Sequence, residues 1–161
     1  MTLQGKAKKI KLVATDIDGV WTNGVMYYTL SGDFMKAFST YDGLAVELLR
    51  KAGIPVIIMT GENSEIVLKR AEKLGISKVY LGENKKLKRL KYVCADLEIN
   101  LNEVAYIGDD VNDMDVIDVV GLSAMPSSSP IIEHCTPDII TKRKGGEGAF
   151  REFVDIILKN R

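Results

Sequence analysis

The sequence predicts an α/β protein: a parallel sheet covered by helices on both faces, with a protruding β-hairpin. Two observations predict it. Short apolar runs rich in β-branched residues alternate with longer stretches of helical spacing across 161 residues. Glycines stand where the helices should stop, at Gly53, Gly75 and Gly121.

Lys11 to Thr15 reads as a buried strand ending at Asp16. Val25–Tyr28 and Phe34–Phe38 read as hairpin strands turned by Ser31-Gly32-Asp33. Leu44 to Lys51 has helical spacing. Ile54 to Met59 is a strand opened by Pro55, where an early proline is tolerable. A helix spans Asn63 to Leu74, a short strand Val79 to Leu81, and a helix Lys85 to Leu97. Val104 to Ile107 is a strand broken at Gly108-Asp109-Asp110, followed by a helix from Asp113 to Val119. Leu122 to Met125 is a strand, Pro126 to Pro130 a loop, and Asp138 to Thr141 a last strand. A glycine-rich stretch, Gly145 to Gly148, precedes a C-terminal helix from Ala149. The length fits one domain, residues 1–161, without internal repeats.

Composition narrows the classes. Lys plus Arg and Asp plus Glu number 22 each, so no global field draws in nucleic acid or an acidic membrane surface. No apolar stretch approaches a membrane span, and Asp16 and Asp18 interrupt the first hydrophobic run, unlike a signal peptide. A cytoplasmic location is expected. Cys94 and Cys135 lack metal-ligand spacing and read as free thiols, and the single His134 argues against a zinc site.

In a parallel sheet, ligands bind at the carboxyl ends of the strands. Asp16, Thr60, the segment 82–86 and Asp109-Asp110 all fall at such ends. Asp16-Ile17-Asp18-Gly19 places two carboxylates on one side of a strand end, where a glycine lets the chain turn. Crowded carboxylates repel unless a cation or a shared proton relieves them. With Asp109 they form an oxygen-rich set suited to Mg2+, a hard cation.

These residues carry a resemblance. Asp16-Ile17-Asp18-Gly19-Val20, Thr60-Gly61, Lys86, and Gly108-Asp109-Asp110 with Asp113 resemble the four motifs of haloacid dehalogenase superfamily phosphatases. The resemblance implies a Rossmann-like sheet and an Asp16 nucleophile that forms an aspartyl-phosphate. It implies Asp18 as general acid and base, and Lys86 as the charge-neutralising cation. Mg2+ would be held by Asp16, Asp18 (through its backbone carbonyl) and Asp109, supported by Asp110 and Asp113. Thr60 and Gly61 would hold phosphoryl oxygens.

A narrower resemblance rests on the hairpin between Trp21 and Asp42, the lack of a large cap insertion, and Gly145-Gly146-Glu147-Gly148-Ala149-Phe150-Arg151-Glu152. These look like the 3-deoxy-2-ulosonate phosphatases. That group implies a sugar acid phosphate as substrate and a homotetramer with centrally packed hairpins, each site being completed by a neighbour. It also implies a flap in which Gly146 and Gly148 meet substrate. Glu62, Arg70, Lys73 and Trp21 look more like the enzymes for the nine-carbon KDN 9-phosphate than those for the eight-carbon KDO 8-phosphate. Glu62 would accept from sugar hydroxyls, and Arg70 and Lys73, three apart on one helix, would bind a carboxylate. The eight-carbon substrate is the alternative. A non-catalytic assembly module, as in sialic acid cytidylyltransferases, is the alternative from another class. A receiver domain fails on motif order, and a dinucleotide-binding domain lacks Gly-x-Gly-x-x-Gly.

Overall fold

The computed structural model describes residues 1–161. In chain order its elements are α1 (Leu3–Ala7), β1 (Leu12–Thr15), β2 (Tyr27–Thr29), β3 (Gly32–Met35) and α2 (Thr40–Lys51). Then come β4 (Val56–Met59), α3 (Glu65–Leu74), β5 (Lys78–Tyr80), α4 (Lys86–Asp96) and β6 (Val104–Ile107). The chain finishes with α5 (Met114–Ile117), β7 (Leu122–Met125), β8 (Ile139–Ile140) and α6 (Ala149–Lys159). Six strands form one parallel sheet in the order β5-β4-β1-β6-β7-β8, and β2 and β3 form the separate antiparallel hairpin. The chain builds outward from β1 to β5, then returns to β1's other side and continues to β8. β1 is therefore the point where strand order reverses, the place such sheets bind ligands.

Side-chain alternation along each strand sorts the core into two halves. Leu12 and Ala14 of β1 join Ile57, Met59, Val104 and Tyr106 against Leu90, Val93 and Val116 of α4 and α5. Val13 joins Ile58, Ala105 and Ile107 against α2, α3 and α6. Phe150, Phe153, Val154 and Ile157 recur at helical spacing and bury the inner stripe of α6. Truncating Phe153 to Ala should cost about 3–5 kcal/mol.

The boundaries differ from the sequence reading in ways the structure explains. The hairpin turns at Leu30-Ser31, and Gly32 pairs with Thr29 as the first residue of β3, with φ at 104°. α2 begins at Thr40 rather than Leu44, because Ser39 Oγ accepts from Tyr41 N at 3.2 Å and caps it. α5 keeps only four residues because a 3-10 turn, Val111–Asp113, precedes it. α1 went unanticipated: Thr2 caps five residues that bury Ala7 alone. No helix is long and apolar enough to cross a membrane, and Cys94 and Cys135 are buried and unpaired.

Candidate active site

Each predicted strand-end group lies where the sheet predicts. The main chain of Asp16 continues β1 by donating to the Ile107 carbonyl at 3.0 Å. Its carboxylate Oδ1 accepts from Ile17 N at 2.8 Å. The loop then turns back at Gly19, whose φ is 86°. A Cβ there would lie 1.7 Å from Asp109 Oδ2, so glycine is required both by conformation and by the approach of β6's end. Trp21 locks the loop from beneath: its indole N–H donates to Thr15 Oγ1 at 3.0 Å, and its ring packs 4.8 Å from that of Phe150.

Lys86 opens α4 with its side chain buried and spans two carboxylates. Nζ lies 3.1 Å from Asp16 Oδ2 and 2.6 Å from Asp113 Oδ1. Burial alone would lower the ammonium pKa, but the charges of Asp16 and Asp113 outweigh it and hold it above the usual value. Asp113 has every oxygen engaged: Oδ1 also accepts from Tyr106 OH, and Oδ2 accepts from Asp109 N at 2.9 Å and Asp110 N at 3.2 Å. It thereby fixes the β6 loop. Asp110 Oδ1 accepts from Val111 N at 2.7 Å and starts the turn that brings Asp113 back.

A cavity of ≈ 260 Å³ opens over these groups, lined by Asp16, Asp18, Gly24, Thr60, Gly61, Glu62, Asp109, Asp110 and Asn112, none of them hydrophobic. Thr60 is buried, and its hydroxyl has no partner within the chain. A buried hydroxyl without a bond is costly, and this one stands in the wall of the polar cavity.

Three parts of the sequence reading are placed differently. The Asp18 carboxylate turns from the acidic cluster to Lys36, 2.7 Å away. Arg70 and Lys73 do not reach the cavity: Arg70 donates to the Ser39 carbonyl at 3.3 Å and lies over the Phe38 ring, while Lys73 is exposed. Gly146 and Gly148 do not line the cavity either. Gly146 N donates to the Val20 carbonyl at 3.1 Å, and a Cβ on neighbouring Gly145 would lie 1.9 Å from the Gly19 carbonyl. Gly145 and Gly146 pack against the main chain of the Gly19–Asn23 loop, while Gly148 lies against Arg143 and Tyr41. Lys36 and Ser129, whose Oγ donates to the Asp109 carbonyl at 2.6 Å, went unread in the sequence. The signal for Lys36 was a lone charge inside the run Phe34–Phe38.

Asp16, Asp109 and Asp113 bring carboxylate oxygens within 4.8 Å of one another. Burial, then the charge of Asp113, pushes the Asp16 carboxyl up to about 7, with Lys86 pulling the other way. Burial, then Asp16 and Asp113, pushes Asp109 up to about 8. A divalent ion would relieve this repulsion, and an all-oxygen donor set without His or Cys fits Mg2+. Each Asp113 oxygen already accepts two bonds, whereas each Asp16 oxygen has one partner and the Asp109 carboxylate none, so Asp16 and Asp109 are the carboxylates with capacity left for a metal.

A protein-family model described as haloacid dehalogenase-like hydrolase matches residues 30–121. The chain belongs to the haloacid dehalogenase-like hydrolases. This hydrolase is 36% identical over 161 residues to the 3-deoxy-D-manno-octulosonate 8-phosphate (KDO 8-phosphate) phosphatase of Haemophilus influenzae, covering 98% of this chain and 87% of that one. It is 37% identical over 153 residues to the Yersinia pestis enzyme of that name, covering 95% and 82%. Its fold matches the Moraxella catarrhalis KDO 8-phosphate phosphatase, solved with magnesium, phosphate and KDO, at a TM-score of 0.94 and 38% identity, covering 99% and 91%. The cobalt-bound H. influenzae structure matches at 0.92 and 35% identity, covering 96% and 91%. A divalent ion in both solved relatives agrees with the donor set of this hydrolase.

Proposed function

We propose that this chain is a magnesium-dependent phosphomonoester hydrolase whose substrate is KDO 8-phosphate. The observation that carries the reading is the Asp16–Lys86–Asp109 constellation under a wholly polar cavity, in a chain whose near-full-length relatives bear that substrate's name. A carboxylate oxygen of Asp16 bonds to phosphorus as the phosphorus–sugar oxygen bond breaks. Asp18 gives its proton to the departing sugar oxygen. Water then attacks phosphorus, Asp18 takes a proton from it, and the phosphorus–Asp16 bond breaks to release phosphate. Lys86 neutralises charge on Asp16, and the free Thr60 hydroxyl donates to a phosphoryl oxygen. Asp16 and Asp109 would hold Mg2+, which supplies further positive charge beside the phosphoryl group.

The nine-carbon reading of Glu62, Arg70 and Lys73 is the weaker one. Only Glu62 of the three lines the cavity, and the relatives reported above are named for the eight-carbon acid. Phosphate release from KDO 8-phosphate and KDN 9-phosphate, measured side by side with Mg2+, tests the proposal. We expect kcat/KM to favour the eight-carbon ester. A preference for KDN 9-phosphate would restore the nine-carbon reading, and no turnover of either would favour a non-catalytic assembly module.

The same reading includes a homotetramer assembled through the hairpin. Its support is the row of exposed apolar side chains there, Val25, Tyr28, Leu30 and Phe34.

A further inference from the structure

Lys36 is the one buried cation near the cavity with no part in the chemistry described so far. It follows β3, at the stem of the hairpin, and its side chain is 0% exposed. Nζ donates to Asp18 Oδ1 at 2.7 Å and lies 3.7 Å from Asp33 Oδ2. Asp33 is fixed in turn, accepting from Ser64 Oγ at 2.6 Å. Ser64 precedes α3 in the loop that carries Thr60 and Gly61. A chain of polar contacts therefore runs from that loop, through the hairpin, to Asp18. Burying an ammonium is expensive unless carboxylates offset it, so this one is retained with its partners already in place.

The second oxygen of Asp18 behaves differently. Oδ2 is buried and has no hydrogen bond within the chain, yet Asp18 forms part of the cavity wall. An ammonium has three donors and no acceptor. While Lys36 holds Oδ1, that oxygen can only accept, and a proton on Asp18 must sit on Oδ2.

We propose that Lys36 is a positioning residue for acid–base catalysis: by occupying Asp18 Oδ1 it presents Oδ2 as the oxygen that exchanges a proton with the substrate. Lys36 neither gains nor loses a proton. In the first half-reaction Oδ2–H passes to the sugar oxygen as the phosphorus–oxygen bond breaks. In the second, Oδ2 accepts a proton from the attacking water. Without Lys36 the carboxyl group is free to turn, and only a fraction of its orientations present the proton. The inference rests on the acid role proposed for Asp18.

The test exploits leaving groups. p-Nitrophenolate departs from phosphorus without a proton, whereas a sugar alkoxide needs one. kcat/KM reports only on steps up to that departure. Lys36→Met should lower kcat/KM on KDO 8-phosphate about tenfold or more, part of the 10²–10⁴ that a positioned acid contributes, while p-nitrophenyl phosphate changes far less. Lys36→Arg, which can still donate to Oδ1, should recover part of the loss. Equal losses on both esters would make Lys36 a hairpin anchor and overturn the proposal, as would no loss on either. Lys36→Leu, which likewise has no donor, serves the same comparison if the methionine variant fails to fold. Asp18→Asn separates the two levels. If it discriminates between the esters and the Lys36 variants do not, the role of Lys36 fails alone; if Asp18→Asn does not discriminate either, the acid role of Asp18 fails with it.

Discussion

Three consecutive serines hold two main-chain segments around the site, residues 142–145 and the Asp109 loop. Ser127 Oγ donates to the Lys142 carbonyl at 3.1 Å, Ser128 Oγ accepts from Gly145 N at 3.0 Å, and Ser129 Oγ donates to the Asp109 carbonyl at 2.6 Å. Ser129 matters most for chemistry, because the backbone it holds carries Asp109, a donor proposed for Mg2+. Groups that orient metal-binding residues typically change metal affinity 10–100-fold. We expect Ser129→Ala to weaken Mg2+ binding by about tenfold at the low end of that range, with activity regained at high Mg2+ and Ser129→Thr close to the parent. Calorimetric titration with Mg2+ alone reads the effect, and unchanged affinity in Ser129→Ala would remove Ser129 from this role. The asymmetry in what the sequence disclosed is clear at this scale. Asp16, Thr60 and Asp109 were legible because each sits at a strand end, and Lys86 because it lies in the segment that follows β5. Ser129 and Lys36 were not, because their roles depend on which loop folds over which.

Among the elements, α6 shows how a correct outline can hide a different role. Its start at Ala149 was legible in the sequence, whereas of the glycines before it, which suited a flap, Gly145 and Gly146 pack against the loop that carries Gly19. Glycine permits flexibility and close backbone approach equally, and only the neighbouring chain decides between them. Asp42 joins this helix to α2: fully buried, it accepts from Arg151 N at 2.9 Å through Oδ1, and Oδ2 has no partner. Burial pushes its carboxyl up to about 6, against the Arg151 N–H and the charges of Arg143, Arg70 and Arg151. The native state therefore binds this proton more tightly than the unfolded chain. Its contribution to stability is fully present below the ordinary carboxylate range near pH 4 and is lost as pH rises through about 6. The shift corresponds to roughly 3 kcal/mol. Asp42→Asn cannot ionise, so urea denaturation at pH 5 and pH 8 should show the variant gaining stability relative to the parent at the higher pH. A constant offset between the two pH values would mean that Asp42 ionises in the native state as it does in the unfolded chain.

At the scale of the whole molecule, the hairpin is the feature the single chain leaves unexplained. A two-stranded ribbon of three and four residues is marginal alone in water, and Leu30 at its tip and Phe34 on β3 are exposed, the latter at 65%. Apolar groups gathered on a protrusion mark a contact surface. A formal net charge of zero raises no long-range repulsion between copies. The sequence revealed the two strands by their apolar runs, but their exposure depends on the hairpin standing away from the sheet, which periodicity alone does not reveal. Replacing Leu30 and Phe34 together by Asp would place four carboxylates from each pair of copies at a shared contact, where desolvation and like charge both oppose association. Light scattering should find the parent as a tetramer and the double variant as a smaller species that keeps its folded core. Lys36 lies one residue beyond β3, so a hairpin loosened from its neighbours should also hold Asp18 less firmly. The double variant should then lose more kcat/KM on KDO 8-phosphate than on p-nitrophenyl phosphate. A parent chain that remains monomeric at micromolar concentration would sever assembly from catalysis, leaving Lys36 to act within one subunit alone.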